Sequence, residues 1–319
     1  MTFSASKWNK GGEIRPIISV SKDSAFDMFE APLRNGFETY IRPVLGEETA
    51  DELIGFCTAA TPSNEEKRFV YLAQRANVFL SFWSNFDELN VTIDDSGMHR
   101  QESADKKTMY KYQEQTLKNG WREKGFNAID EMLSYLEANA TTFTTFAESA
   151  NFTRSKSEIV RGTQDVDDNY FIGRSRIIFL RLRPHFRIVE QTIIAARLGS
   201  VYDDLKAELI KETPDEKFIK LRNSLIPVIV HYGVSRLIRE TGALTDKGLF
   251  FEALRNTDDS VYSSPVADNR LEMQATMAEG DAISYWKLAE KILKADFDVT
   301  TTTSRTPKVN NTDKKAFWA

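Results

Sequence analysis

Apolar residues recur at helical spacing near the start of the chain. Phe26, Phe29, Leu33, Phe37, Ile41 and Leu45 follow one another at three or four positions and trace one face of a helix beginning near residue 24. Pro32 should kink or divide that helix, and Gly46 is placed to stop it. Ile17-Ile18-Ser19-Val20, upstream, reads as a short strand or an extended lead-in. A short helix over 49–56 comes next. Ser63-x-x-Glu66 is a capping-box signature, and it opens a long helix whose stripe is Phe69, Leu72, Ala73, Ala76, Phe79 and Leu80. Residues 90–98 predict a strand entering a turn. A charged helix over 103–118, loosening at Gly120 and Gly125, precedes a last helix over 126–139.

The same pattern then returns. Ile41-Arg42-Pro43-Val44-Leu45-Gly46 and Asp51-Glu52-Leu53 are answered by Ile194-Ala195-Ala196-Arg197-Leu198-Gly199 and Asp203-Asp204-Leu205, with Gly46 and Gly199 153 positions apart. Pro32 and Pro184 differ by 152, and the capping box at Ser63 has a counterpart 150 residues on in Thr213-x-x-Glu216. Its helix carries Phe218, Leu221, Leu225, Val228, Ile229 and Tyr232, with Pro227 as a kink point. Asp95 and Gly97 reappear 151 positions later as Asp246 and Gly248. The last helices, 126–136 and 282–293, align only loosely, at about 155. Landmarks in one order at nearly one offset indicate an old tandem duplication.

The expected fold class is therefore mainly α, a tandem duplication of one helical unit with short β-hairpin or extended segments. The expected divisions are a loose N-terminal arm over 1–15, a first unit over 16–140 and a Thr-, Ser- and Asp-rich linker over 141–170. A second unit over 171–296 and a polar C-terminal tail over 297–319 complete them.

Composition narrows the function more than the fold. The net charge of -5 argues against an extended nucleic-acid-binding face. A single cysteine, Cys57, excludes an internal disulfide, and three histidines give no zinc-ligand spacing. His185 and His231 read as packing or surface residues. No apolar run is long enough for a membrane span, and no apolar signal core opens the chain. No phosphate-binding, metalloprotease or nucleophile-elbow motif occurs. No cofactor or metal is expected.

Three strings remain as candidates. Asp94-Asp95-Ser96-Gly97-Met98-His99-Arg100 places a serine and a histidine beside carboxylates, as a hydrolase would. Its second copy keeps only Asp246 and Gly248, so Asp95, Gly97, Asp246 and Gly248 read as turn formers, like Gly46 and Gly199. Arg174, Arg176, Arg181, Arg183 and Arg187 form a basic cluster, read either as a surface for a phosphate or protein partner or as a solvated helix face with ion pairs. Lys314-Lys315-Ala316-Phe317-Trp318 ends the polar tail in two aromatics with no core of their own. That suits an anchor for a partner's groove, with Lys314, Lys315, Phe317 and Trp318 as contacts.

The set Ile41 to Gly46 with Asp51 to Leu53, Val91 to Gly97 with Arg100-Gln101-Glu102, Leu182-Arg183-Pro184 through Leu198-Gly199, and Leu244 to Leu249 resembles the helical head–tail connector (adaptor) proteins of tailed bacteriophages. More closely, the whole chain outside its two tails resembles a phage and prophage family in which two such units are fused. The resemblance implies a structural virion protein at the head–tail junction, made in the host cytoplasm. It implies a homo-oligomeric ring, typically a dodecamer, between the portal protein and further tail or ring proteins. DNA would pass through its lumen without sequence-specific binding, and the C-terminal extension would dock on the portal. The rival expectations are a non-enzymatic binding or scaffold module and, behind it, a helical enzyme.

Overall fold

The stripe from Phe26 to Leu45 forms a helical rod whose geometry changes part-way. The computed structural model describes residues 2–3, 13–20, 25–89, 91–94, 97–100, 110–241, 251–255, 261–265 and 268–297. Helix α1 (Asp27–Gly36) passes into a π-turn (Phe37–Ile41) and on into α2 (Arg42–Leu45). In the turn, the Arg42 N–H donates to the Phe37 carbonyl five residues back. Pro32 lies inside α1 and does not divide it, so the expected break is absent there. Phe29, Leu33, Phe37, Ile41 and Leu45 are all buried. Gly46 ends the rod at φ +87° and ψ 162°, a conformation essentially open to glycine alone.

Helices α3 (Glu47–Thr58) and α4 (Asn64–Ser84) follow. The capping box forms as read: the Glu66 N–H donates to Ser63 Oγ at 3.1 Å, and the Ser63 N–H donates to the Glu66 carboxylate at 2.7 Å. After α5 (Phe86–Leu89), strands β1 (Val91–Asp94) and β2 (Gly97–Arg100) make an antiparallel hairpin with Asp94 opposite Gly97. Helix α6 (Lys111–Ala138) is continuous, so the two helices expected here are one. Gly125 serves proximity, not looseness. A Cβ there would sit 2.6 Å from Leu80 Cγ, which lets α4 and α6 cross closely.

Residues 141–170 are folded rather than a loose linker. They hold α7 (Thr144–Glu148), α8 (Ala150–Ser157) and α9 (Thr163–Asp167). Phe143, Phe146 and Phe152 belong to the first unit's core, and Ile159, Val160 and Val166 to the second's. The boundary between the cores therefore falls between 152 and 159.

The second unit repeats the order: α10 (Arg176–Val189), a π-turn (Glu190–Ile194), α11 (Ala195–Leu198), α12 (Ser200–Ile210) and α13 (Glu216–Thr241). Strands β3 (Phe251–Arg255) and β4 (Val261–Pro265) pair antiparallel, and α14 (Asp268–Asp296) closes the unit against α13. The fold is mainly α, a tandem duplication of one helical unit with a short hairpin in each copy.

The rarest local feature is itself duplicated. The π-turns begin at Phe37 and Glu190, an offset of 153, the same as Gly46 to Gly199. Pro43 is answered by Ala196, so the wide turn does not depend on proline. The long helices align at 152, with Phe69, Ala73 and Ala76 matching Leu221, Leu225 and Val228. The last helices align at 157: Gly125, Ile129, Met132 and Leu136 match Ala282, Trp286, Ala289 and Leu293. The strands stand at larger offsets, 160 from Val91 to Phe251 and 165 from Arg100 to Pro265, so the two copies differ in length around and within the hairpin.

Other expectations change as well. Thr213 builds no capping box; α13 starts at Glu216, and the Asp215 carboxylate accepts from the Lys217 N–H at 3.0 Å. Asp246 and Gly248 lie outside the described residues. The N-terminal arm is anchored where it is described. Thr2 and Phe3 are buried, the Gln74 side chain donates to the Thr2 carbonyl at 2.9 Å, and Phe3 joins Ile14, Phe29, Leu33 and Phe82 in a satellite core. Phe297, assigned to the tail, stacks edge-on against Phe218 with ring centroids 5.0 Å apart.

Candidate functional site: the seam between the units

The two units meet where α6 faces α10 and α8 faces α12. Helix periodicity puts Asp130, Ser134 and Glu137 on one side of α6, opposite the core-facing stripe of Ile129, Met132 and Leu136. Arg176 opens α10 and is buried; its guanidinium donates to Asp130 at 2.6 Å, and the Thr163 hydroxyl donates to the same carboxylate. Arg222 of α13 donates to Asp165 at 2.6 Å, and the Arg161 N–H donates to that carboxylate at 2.8 Å. The Arg161 guanidinium spans three backbone carbonyls, of Lys156, Glu158 and Leu209, at 2.7, 3.3 and 3.2 Å.

A second cluster lies just inside the second unit. Glu158 is buried and receives both Arg183, at 2.9 and 3.0 Å, and Arg187, at 2.6 and 3.0 Å. Arg183 takes both carboxylate oxygens, as the fixed fork of guanidinium allows, and Arg187 donates twice to Oε1. Glu190, buried at the start of the π-turn, accepts from Lys206 and from the Tyr202 hydroxyl at 2.9 Å. Burial and the Glu190 charge push the Tyr202 phenol well above its ordinary range.

The seam encloses a cavity of about 510 Å³, lined by Asp130, Glu137, Arg154, Arg161, Asp165 and Arg222 among others. Burial on the cavity side lifts the Glu137 carboxyl above its ordinary range, with Arg161 opposing and Asp130 adding to the lift. Burial and then the neighbouring Arg222 charge pull the Arg161 guanidinium down. Arg176 and Arg222 each keep an Nε–H with no acceptor among the described residues. The arrangement fastens two units together and leaves a small, charged, partly open chamber between them.

The residues singled out from the sequence fall on different ground. Gly46 and Gly199 both end a rod with positive φ, as turn formers should. Gly97 opens β2 opposite Asp94, and His99 pairs with Thr92 in the same hairpin. Arg174 is exposed in a left-handed conformation at φ +53°, its N–H donating to Asp167 at 3.2 Å. Arg176 is not a surface contact, because the fold buries it on Asp130. Arg183 and Arg187 are committed to Glu158. Asp95, Asp246, Gly248, Lys314, Lys315, Phe317 and Trp318 lie outside the described residues. Asp130, Glu137, Glu158, Arg161, Asp165 and Arg222 were missed. Isolated acids and arginines carry no local signal, and the packing of α6, α9, α10 and α13 around the seam brings them together. Among the described residues, no group of three or more His, Cys, Asp or Glu side chains could hold a metal ion, and no helix is long and apolar enough to cross a membrane.

A family model described as "Family of unknown function (DUF6712)" matches residues 41–156 and again 194–307. The chain belongs to this family. The two DUF6712 matches begin at Ile41 and Ile194, the last residues of the two π-turns, so the family unit and the structural repeat share one register. The unit includes α7 and α8, which extends the first copy past the expected boundary at 140. No curated protein and no solved structure matches the chain.

Proposed function

We propose that this chain is a non-enzymatic structural component of a tailed-phage virion, a head–tail connector forming a ring between the portal and the tail. The reading rests on the ordered motif set in duplicate, carried by a two-unit body. The single observation that supports it best is the seam. The arginines that a phosphate site or a reaction would need are engaged in ion pairs within the fold: Arg176 on Asp130, Arg222 on Asp165, and Arg183 and Arg187 on Glu158. A protein that works by shape needs its two units held in one fixed relation. The tail with Lys314, Lys315, Phe317 and Trp318 is the proposed portal contact. The test is the mass of the purified chain, alone and mixed with a portal ring, by light scattering. A stoichiometric complex that is lost on deleting residues 314–319 supports the connector and its anchor. A chain indifferent to the portal sinks this reading.

A second reading, a small-molecule binding module, is favoured by one observation. The seam cavity combines a carboxyl with raised pKa, Glu137, with two arginines that keep an unused Nε–H. Calorimetric titration with small phosphates and carboxylates separates the two. Saturable binding abolished by Arg222→Gln would move the assignment to the second reading.

A further inference from the structure

The repeat registers allow the seam to be compared with the two ends of the chain. Inside the chain, α6 of the first unit brings Asp130 and Glu137 to α10 of the second, which brings Arg176 and Arg183. In the second unit α14 stands where α6 stands in the first. At the offset of 157, Asp130, Ser134 and Glu137 become Lys287, Lys291 and Lys294, all exposed. In the first unit α1 stands where α10 stands in the second. At the offset of 153, Leu180, Arg181 and Arg183 become Asp27, Met28 and Glu30, with Asp27 and Met28 exposed. On α14 the two seam acids are replaced by lysines, and on α1 Arg183 is replaced by Glu30, paired within its own helix to Arg34 at 2.5 Å, while Asp27 is an added acid where the second copy has Leu180.

Apolar exposure follows the same faces. Of the thirteen exposed large apolar side chains among the described residues, five lie on α14: Met273, Met277, Ile283, Tyr285 and Leu288. Leu288, 52% exposed, lies beside Lys291 on α14, and Met28, 63% exposed, lies beside Asp27 on α1, with Glu30 on the far side of Asp27. Met273, Met277 and Leu288 lie opposite Ala275, Ala282, Trp286 and Leu293, which pack on α13. Complementary charge around an apolar centre is the usual anatomy of a protein contact.

We propose that the outer face of α14, with Lys287, Leu288, Lys291 and Lys294, docks onto α1 of a second copy of this chain, at Asp27, Met28 and Glu30. The contact uses the same two helix positions as the internal seam, with lysines on α14 set against Asp27 and Glu30 on α1. It is heterologous, using different surfaces on each copy, and so can propagate into a ring. This deepens the connector reading by naming the surface through which its subunits would join. Each charge set also suits its own helix dipole, so the decisive test is rescue, not loss alone.

Full-length chain is measured by light scattering and native mass spectrometry against its 36.4 kDa monomer mass. Wild type is expected above monomer mass. Asp27→Lys with Glu30→Lys, and separately Lys287→Glu with Lys291→Glu and Lys294→Glu, are each expected to weaken self-association by about a hundredfold or more. Combining all five changes in one chain, or mixing the two variants, is expected to restore assembly. Circular dichroism checks that each variant is folded. If a reversal unfolds the chain, Asp27→Asn with Glu30→Gln, against Lys287→Gln with Lys291→Gln, gives the same comparison with smaller effects. A monomeric wild type overturns the proposal, as do reversals without effect or a swap without rescue. The connector reading has its own readout in the portal mixture. Assembly that ignores the reversals therefore sinks this contact and leaves that reading standing.

Discussion

Arg176 of the second unit reaches Asp130 of the first at 2.6 Å, and only 11% and 21% of their side chains remain exposed. The pair crosses the seam, so it couples two units with separate cores. Removing one partner leaves the other charge partly buried and unpaired. Asp130→Ala should cost about 2 kcal/mol, below the range for a fully buried pair because solvent still reaches both groups. Urea unfolding followed by tryptophan fluorescence and by far-UV circular dichroism checks this. The midpoint should fall, and the two probes should separate as the units begin to unfold independently. Coincident curves at the wild-type midpoint would show that the pair does not couple them.

A glycine in α13 lets that helix pass close to α10. A Cβ on Gly233 would lie 2.4 Å from Cδ1 of Phe186, on α10. Phe186 is buried in the core and cannot swing away. Gly233→Ala should therefore destabilise by about 1–3 kcal/mol through overpacking, despite alanine's better helix propensity. Gly120→Ala is the control: nothing lies within 4 Å of its added Cβ, so the same change should be neutral or slightly stabilising. Thermal denaturation of the two variants decides it, and equal Tm shifts would remove the packing argument.

The contrast between these glycines explains what the sequence could and could not show. Helical stripes were legible because burial imposes a period, and every residue of the Phe26 to Leu45 stripe is buried as read. Gly125 was misread as a loosening point because propensity is local, whereas its fit against Leu80 is tertiary. The linker was misread because threonine and serine dominate its composition. Phe143, Phe146 and Phe152, spaced to pack between them, are what the first core uses. The capping box at Thr213 had the right letters but lost to Asp215, one residue before the helix begins. The seam was invisible because its acids and arginines are distant in sequence. The basic cluster at 174–187 was seen, and its role as internal ion pairs became plain only with Glu158 and Asp130 in place.

His231 offers a pH readout confined to the second unit. Its ring is buried between Tyr170, edge-on at 6.0 Å, and Tyr285, stacked at 5.4 Å. Burial holds its pKa below the ordinary value of 6.5, with the Asp281 carboxylate opposing. His185 is shifted the same way by burial. Protons therefore bind the unfolded chain more readily than the folded one. The stabilising contribution is complete above about 6.5 and is lost as pH falls from there toward the lowered folded pKa. Tm should drop between pH 7.5 and 5.5, against any general trend set by the carboxylates. His231→Phe keeps a ring in the same slot and should flatten that drop. A slope unchanged in this variant and in His185→Phe would assign the pH dependence elsewhere.

The two π-turns solve one structural problem with opposite chemistry. At the first position the first unit buries Phe37, with Arg42 over its ring, and the second buries Glu190, held by Lys206 and Tyr202. Both turns occur in the same register, so the turn itself does not require the charge. Glu190→Ala should cost about 2 kcal/mol, since it leaves Lys206 and Tyr202 partly buried without their acceptor. Replacing the ionic set with an apolar one should recover most of that loss, as buried pairs often give way to packed apolar groups of similar volume. Glu190→Leu combined with Lys206→Met and Tyr202→Phe is the variant to make. A melting temperature near wild type would show the network to be dispensable for folding, as Phe37 already suggests. A triple variant no more stable than Glu190→Ala would instead mean that the second π-turn depends on its buried carboxylate.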